Sequence, residues 1–139
     1  MTISAELRRL VVERANNCCE YCRIAQEDRL LPFQVDHIVA IKHGGVDAAN
    51  NLCLACYKCN GFKGANIASM DPKTGDPVFL FHPRKQRWND HFRLDGAVIE
   101  PLTPEGRVTV LLLRLNSSDR IKQRLVLLEL GRFPCASKP

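Results

Sequence analysis

Two groups of residues have the types and spacing to do chemistry. Cys19-x-x-Cys22 and Cys56-x-x-Cys59 are two hooks that together offer four thiolates, the number a closed tetrahedral structural zinc site takes. Such a site holds shape and leaves no position open for reaction. The gap between the hooks is longer than that of an ordinary zinc ribbon, so something folded is expected within it. The second group fills that gap and its far edge: Asp36-His37, Gly44-Gly45, Asn50-Asn51, and Asn60 directly behind Cys59. A histidine, with an unperturbed pKa of roughly 6.5, is a natural general base near neutral pH. A carboxylate with an amide oxygen suits a hard divalent cation that keeps positions open for water and phosphate. Read alone, Asn60 is either a turn former or a carbonyl donor to a second metal, and an Asp-His pair on a strand is most often a hydrogen-bonded surface pair.

The elements that must position these groups follow from local pattern. Ser4 caps a helix with Leu7, Leu10 and Val11 on one face, ending near Asn16-Asn17. The stretch FQVDHIVAI, 33 to 41, is rich in β-branched residues and reads as a strand that Gly44-Gly45 breaks. LCLA is a short extended piece, and the second hook leads into a helical turn carrying Asn60 and Lys63. MDPKTGDP, 70 to 77, marks a boundary or long loop. VFLF and HFRLDGAVI read as strands with a turn at Asp95-Gly96. Thr103-Pro104 starts one helix, and Ser118 caps a last one from Asp119 to Leu130. The leucines of both are expected in the core.

Composition bounds the class. The chain has 139 residues, 45% of them apolar and 25% charged, which fits one ordinary domain with a small appendage. Its longest apolar run, VTVLLL, is far short of the roughly 18 residues a membrane span needs, and the N-terminus lacks the apolar core of a signal peptide. A cytoplasmic location is therefore expected, and with it seven cysteines that are metal ligands or buried thiols rather than disulfides. Cys18 and Cys53 are competing ligands that complete no hook with the right partner; Cys135 is read as an incidental or buried thiol. The net charge of +5 lies mostly in the second half, where HPRKQRWNDHFR interleaves Arg84, Lys85 and Arg87 with Trp88 and Phe92. That segment suits a polyanion or is a solvated surface loop.

From CEYC through VDHIVAIKHGG and NNLCLACYKCN to GFKG, roughly residues 19 to 64, the chain resembles the HNH endonuclease family. The motifs DH-I, GG, N-L, C-x-x-C-N and x-x-K come in that family's order and spacing. Proline after the DHI strand and leucine before the second hook, frequent in the family, are Ala40 and Ala55 here. The resemblance implies a zinc-stapled ββα-metal core, which with the N-terminal helix takes residues 1–70; local pattern adds a strand-plus-two-helix extension over 71–139, for an α+β fold. It implies hydrolysis of phosphodiester bonds in DNA, with His37 as general base and Asn51 holding its loop. Asp36 and Asn60 would bind the catalytic cation, Mg²⁺ or another such as Mn²⁺ or Ni²⁺. Cys19, Cys22, Cys56 and Cys59 would bind structural Zn²⁺. Lys63 would contact a phosphate, and Arg84, Lys85 and Arg87 would extend the nucleic-acid surface. The alternative is a non-catalytic zinc-dependent nucleic-acid-binding module.

Overall fold

The computed structural model describes residues 3–136. Helix α1, Ala5–Arg14, begins where the Ser4 side chain accepts the Leu7 N–H at 3.1 Å and buries Val11. It stops at Asn16 and Asn17, both at positive φ, a conformation asparagine tolerates better than most residues. Strand β1, Gln34–His37, pairs antiparallel with β2, Leu52–Ala55, setting Asp36 opposite Cys53 and His37 opposite Leu52. The chain then passes through the second hook into α2, Tyr57–Lys63. β1 is shorter than the strand expected over 33–41. Past His37 the Asn51 side chain takes both the N–H and the carbonyl of Val39, which ends the ladder, and a single turn at Ile41–His43 closes on Gly44 at φ 89°.

The second half adds two hairpins and three helices. β3, Ala68–Met70, pairs with β4, Pro77–Phe79, so MDPKTGDP is largely a structured hairpin turn. Buried Asp71 organises it, accepting from Lys73 N at 3.0 Å, Thr74 Oγ1 at 3.2 Å and the Arg107 fork at 2.9 and 2.8 Å. A short helix α3, Trp88–His91, leads into β5, Phe92–Asp95, which turns at Gly96 to β6, Val98–Pro101. Thr103 accepts the Gly106 N–H at 3.1 Å and caps α4, Pro104–Leu112. A side chain at Gly106 would run into the His91 carbonyl, which is why α4 can lie so close to that turn.

One apolar core joins both halves, from Val11, Tyr21, Ile24, Leu52 and Leu54 to Phe81, Phe92, Ile99, Val108 and Leu115. Three expectations need correction. Cys135 is no isolated thiol, because it forms a disulfide with Cys18. Helix α5, Ser118–Glu129, starts one residue early with Ser117 as its cap. Its fully buried residues are Arg120 and Arg124, whereas Leu125, Val126 and Leu128 are exposed. Among the described residues no helix is long and apolar enough to cross a membrane.

Candidate active site and metal centre

The sulfurs of Cys19, Cys22, Cys56 and Cys59 all lie within 4.8 Å of one another and are buried. The Cys22 and Cys56 sulfurs are 3.7 Å apart, close to the edge of about 3.8 Å that a tetrahedron with Zn–S bonds near 2.3 Å requires. Each hook turns one backbone N–H toward its first sulfur, Cys22 N to Cys19 and Cys59 N to Cys56, both at 3.4 Å. Burial pushes the Cys19 and Cys59 thiols up, while hydrogen bonds with Cys19 pull Cys22 and Cys56 down; holding all four as thiolates at once takes a cation. The donor set, geometry and closure fit zinc. Cys18 and Cys53 stand outside the cluster, the first in its disulfide and the second as a buried thiol.

Beside this centre, an open cleft of about 350 Å³ is lined by Val35, Asp36, His37, Ala40, Ile41, Asn60, Gly64 and Ala65. Asp36 and His37 come from the end of β1, and Asn60 from the first turn of α2, whose start the second hook fixes. The His37 ring meets Asp47, with Nε2 2.6 Å from Oδ1. A carboxylate only accepts, so Nε2 is the donor here, and in a neutral imidazole that leaves Nδ1 as the acceptor. Asn51 closes the intervening loop by donating to the carbonyls of Val39 and Val46 at 2.9 and 3.0 Å and accepting Val39 N–H at 2.9 Å. Gly45 packs so tightly under it that any side chain there would collide with the Val39 carbonyl.

Asp36 is 5% exposed and fully engaged. Tyr21 donates to it at 3.1 Å, the Cys53 thiol lies at 3.6 Å, and Lys63 Nζ sits 3.1 Å from Oδ2 and 3.0 Å from the His37 carbonyl. Burial pushes the Asp36 carboxyl up, and Lys63 pulls it back. The phosphate contact expected of Lys63 therefore has a different placement: the side chain is 2% exposed and serves as counter-ion to Asp36. Asn60 lines the same cleft as Asp36, and a divalent cation at Asp36 would have to share the carboxylate with that ammonium.

Residues 19–66 match the HNH endonuclease family model. No curated protein and no solved structure matches the chain. The matched segment includes both hooks, Asp36, His37, Asn51, Asn60 and Lys63. It also includes two residues that pattern reading missed, Tyr21 and Asp47. Tyr21 lies inside the first hook, where a spacing argument counts only its cysteines. Asp47, ten residues beyond His37, becomes its partner only once the Gly44-Gly45 loop folds back.

The basic segment reaches the matched segment in two ways. Arg84 forms an ion pair with Glu20 in the first hook, and Glu20 in turn accepts the Leu54 N–H at 2.8 Å. That guanidinium is committed to the fold. Lys85 lines a second cleft, of about 310 Å³, together with Ile38 and Val39, the residues that follow His37. Lys85 and Arg87 are exposed. The interleaved aromatics turn inward: Phe92 is buried, and Trp88 packs on it with ring centroids 5.0 Å apart.

Proposed function

We propose that the chain is a metal-dependent endonuclease of the HNH type acting on DNA, with His37 as its general base. The observation that carries this reading is the meeting of Asp36, His37 and Asn60 on one cleft, with the His37 ring held by Asp47. Asp47 fixes the tautomer and aims Nδ1, the nitrogen able to take a proton from an attacking water. Asn51 keeps the Gly44-Gly45 loop closed, so the dyad does not depend on a mobile connection. Asp36 and Asn60 would hold a hard divalent cation, Mg²⁺ or another such as Mn²⁺ or Ni²⁺, which when bound supplies Lewis-acid stabilisation of the departing oxygen. The zinc centre fixes α2 and therefore the direction in which Asn60 points. Strands β1 and β2 followed by α2 give the ββα-metal arrangement on this reading, with residues 71–139 as an extension packed on the core.

Lys63 on the Asp36 carboxylate favours the alternative, a non-catalytic zinc-dependent nucleic-acid-binding module, since a cation already neutralises that acid. Incubation of the zinc-loaded protein with supercoiled plasmid and single-stranded DNA, with Mg²⁺, Mn²⁺ or Ni²⁺ or with chelator, separates the two. A nuclease nicks plasmid only with an added divalent cation. Retention of DNA without strand breaks under every cation selects the binding module.

A further inference from the structure

Helix α5 docks on the core with two arginines and no fully buried leucine. A surface helix ordinarily turns an apolar stripe inward, yet here Leu125, Val126 and Leu128 face outward. Arg120 is 2% exposed; its Nη1 donates to the Leu113 carbonyl at 2.7 Å, and its Nη2 lies 3.0 Å from the Cys59 sulfur and 3.7 Å from that of Cys56. Arg124, one turn on and fully buried, donates from Nε to the Ala97 carbonyl at 2.7 Å and from Nη2 to Asn116 Oδ1 at 3.1 Å. Its Nη1 has no partner. Among the described residues neither guanidinium has a carboxylate within ion-pair distance.

A buried guanidinium facing only neutral groups is strongly disfavoured. Beside Arg120 the anionic candidates are the hook sulfurs, and Arg124 stands one helical turn further along α5. Four thiolates around one dication carry two net negative charges; two arginines carry two positive ones. We infer that α5 is the outer shell of the zinc centre, with Arg120 donating to the Cys59 thiolate and Arg124 completing the charge balance, so that zinc loading and docking of the last helix are one event. Without the metal nothing holds the four sulfurs in one place, and the Arg120 fork loses its fixed acceptor. The other polar tie from α5 to the hook helix is the exposed Lys58–Asp119 pair, 2.6 Å long, and exposed pairs hold little. Release of zinc should therefore let α5 swing into water.

The inference rests on the cysteine cluster holding zinc and is independent of whether the cleft cleaves DNA. Its test is zinc competition against a chromogenic chelator, combined with hydrogen exchange of α5, in wild type, Arg120→Met and Arg120→Lys. With Arg120→Met, zinc affinity should fall by about tenfold to a hundredfold, the usual effect of removing an outer-shell partner. At saturating zinc, α5 should exchange faster while β1, β2 and α2 keep their protection. Arg120→Lys, which keeps the charge and loses the fork, should fall between. Wild type supplies an arm that needs no variant to fold: titration with chelator should unprotect α5 in step with zinc release. Unchanged zinc affinity in Arg120→Met overturns the inference, as does an α5 that stays protected in wild type after zinc has left. A wild-type chain that takes up no zinc fails the metal reading itself, and the inference with it.

Discussion

The Lys63 ammonium touches the Asp36 carboxylate and the His37 carbonyl at once, so one cation ties together the two adjacent residues proposed for chemistry. Both partners are buried, and removing one charge of such a pair leaves the other without compensation. Lys63→Met should cost about 3–5 kcal/mol in a urea unfolding experiment. Adding Asp36→Asn should recover part of that loss, because the stranded charge is then gone; equal stability of wild type and Lys63→Met would show that the pair carries no weight. Much of the site is legible in the sequence because its residues announce themselves over short spacings: C-x-x-C-N, Asp36-His37, Gly44-Gly45. Their partners are not. Tyr21, Asp47 and the buried role of Lys63 depend on which side chains meet after folding, and Arg120 lies far along the chain from the hook it touches. A lysine one turn beyond Asn60 reads as exposed until Asp36 is found beneath it.

At the scale of elements, caps and turns are the readable part. Ser4, Thr103-Pro104 and Asp95-Gly96 act through backbone groups only two or three residues away, so the sequence contains their whole mechanism. Helix α5 misleads because its leucines set the apolar pattern, and an apolar pattern says nothing about arginines that face a buried anionic centre. The turn between β3 and β4 is readable as a boundary or loop but not as a tight anchor. There the Arg107 fork holds the Asp71 carboxyl well below the usual carboxylate range. A depressed native pKa adds stability above the unfolded value, about 3.9 for aspartate, and loses it as pH falls through the native one. Asp71→Asn should therefore be less stable than wild type at pH 7. The gap should narrow once the pH drops below about 4 and close at stronger acid. Denaturant midpoints measured across that range check it, and a gap independent of pH would show that the carboxylate charge is not what Arg107 recognises.

Over the whole molecule, the two halves of the chain share one core and are tied together by the Cys18–Cys135 disulfide, the Arg84–Glu20 pair and Arg120. The cations therefore sort into two kinds. Arg84 is bound into the fold, whereas Lys85 and Arg87 remain exposed, Lys85 bordering the residues after His37. If the DNA path crosses that edge, Lys85→Gln with Arg87→Gln should weaken binding to all sequences and flatten the slope of log K against log salt by roughly 0.9 for each phosphate no longer neutralised. An unchanged slope in filter binding at several salt concentrations would move the path elsewhere. The nuclease reading itself turns on His37. Its most direct measurement is the nicking rate of zinc-loaded His37→Ala beside wild type under the same cation, with matching melting curves and DNA affinities to show that fold and binding survive. Removal of a general base predicts a fall of about 10²–10⁴-fold, whereas nicking at the wild-type rate would contradict the assignment.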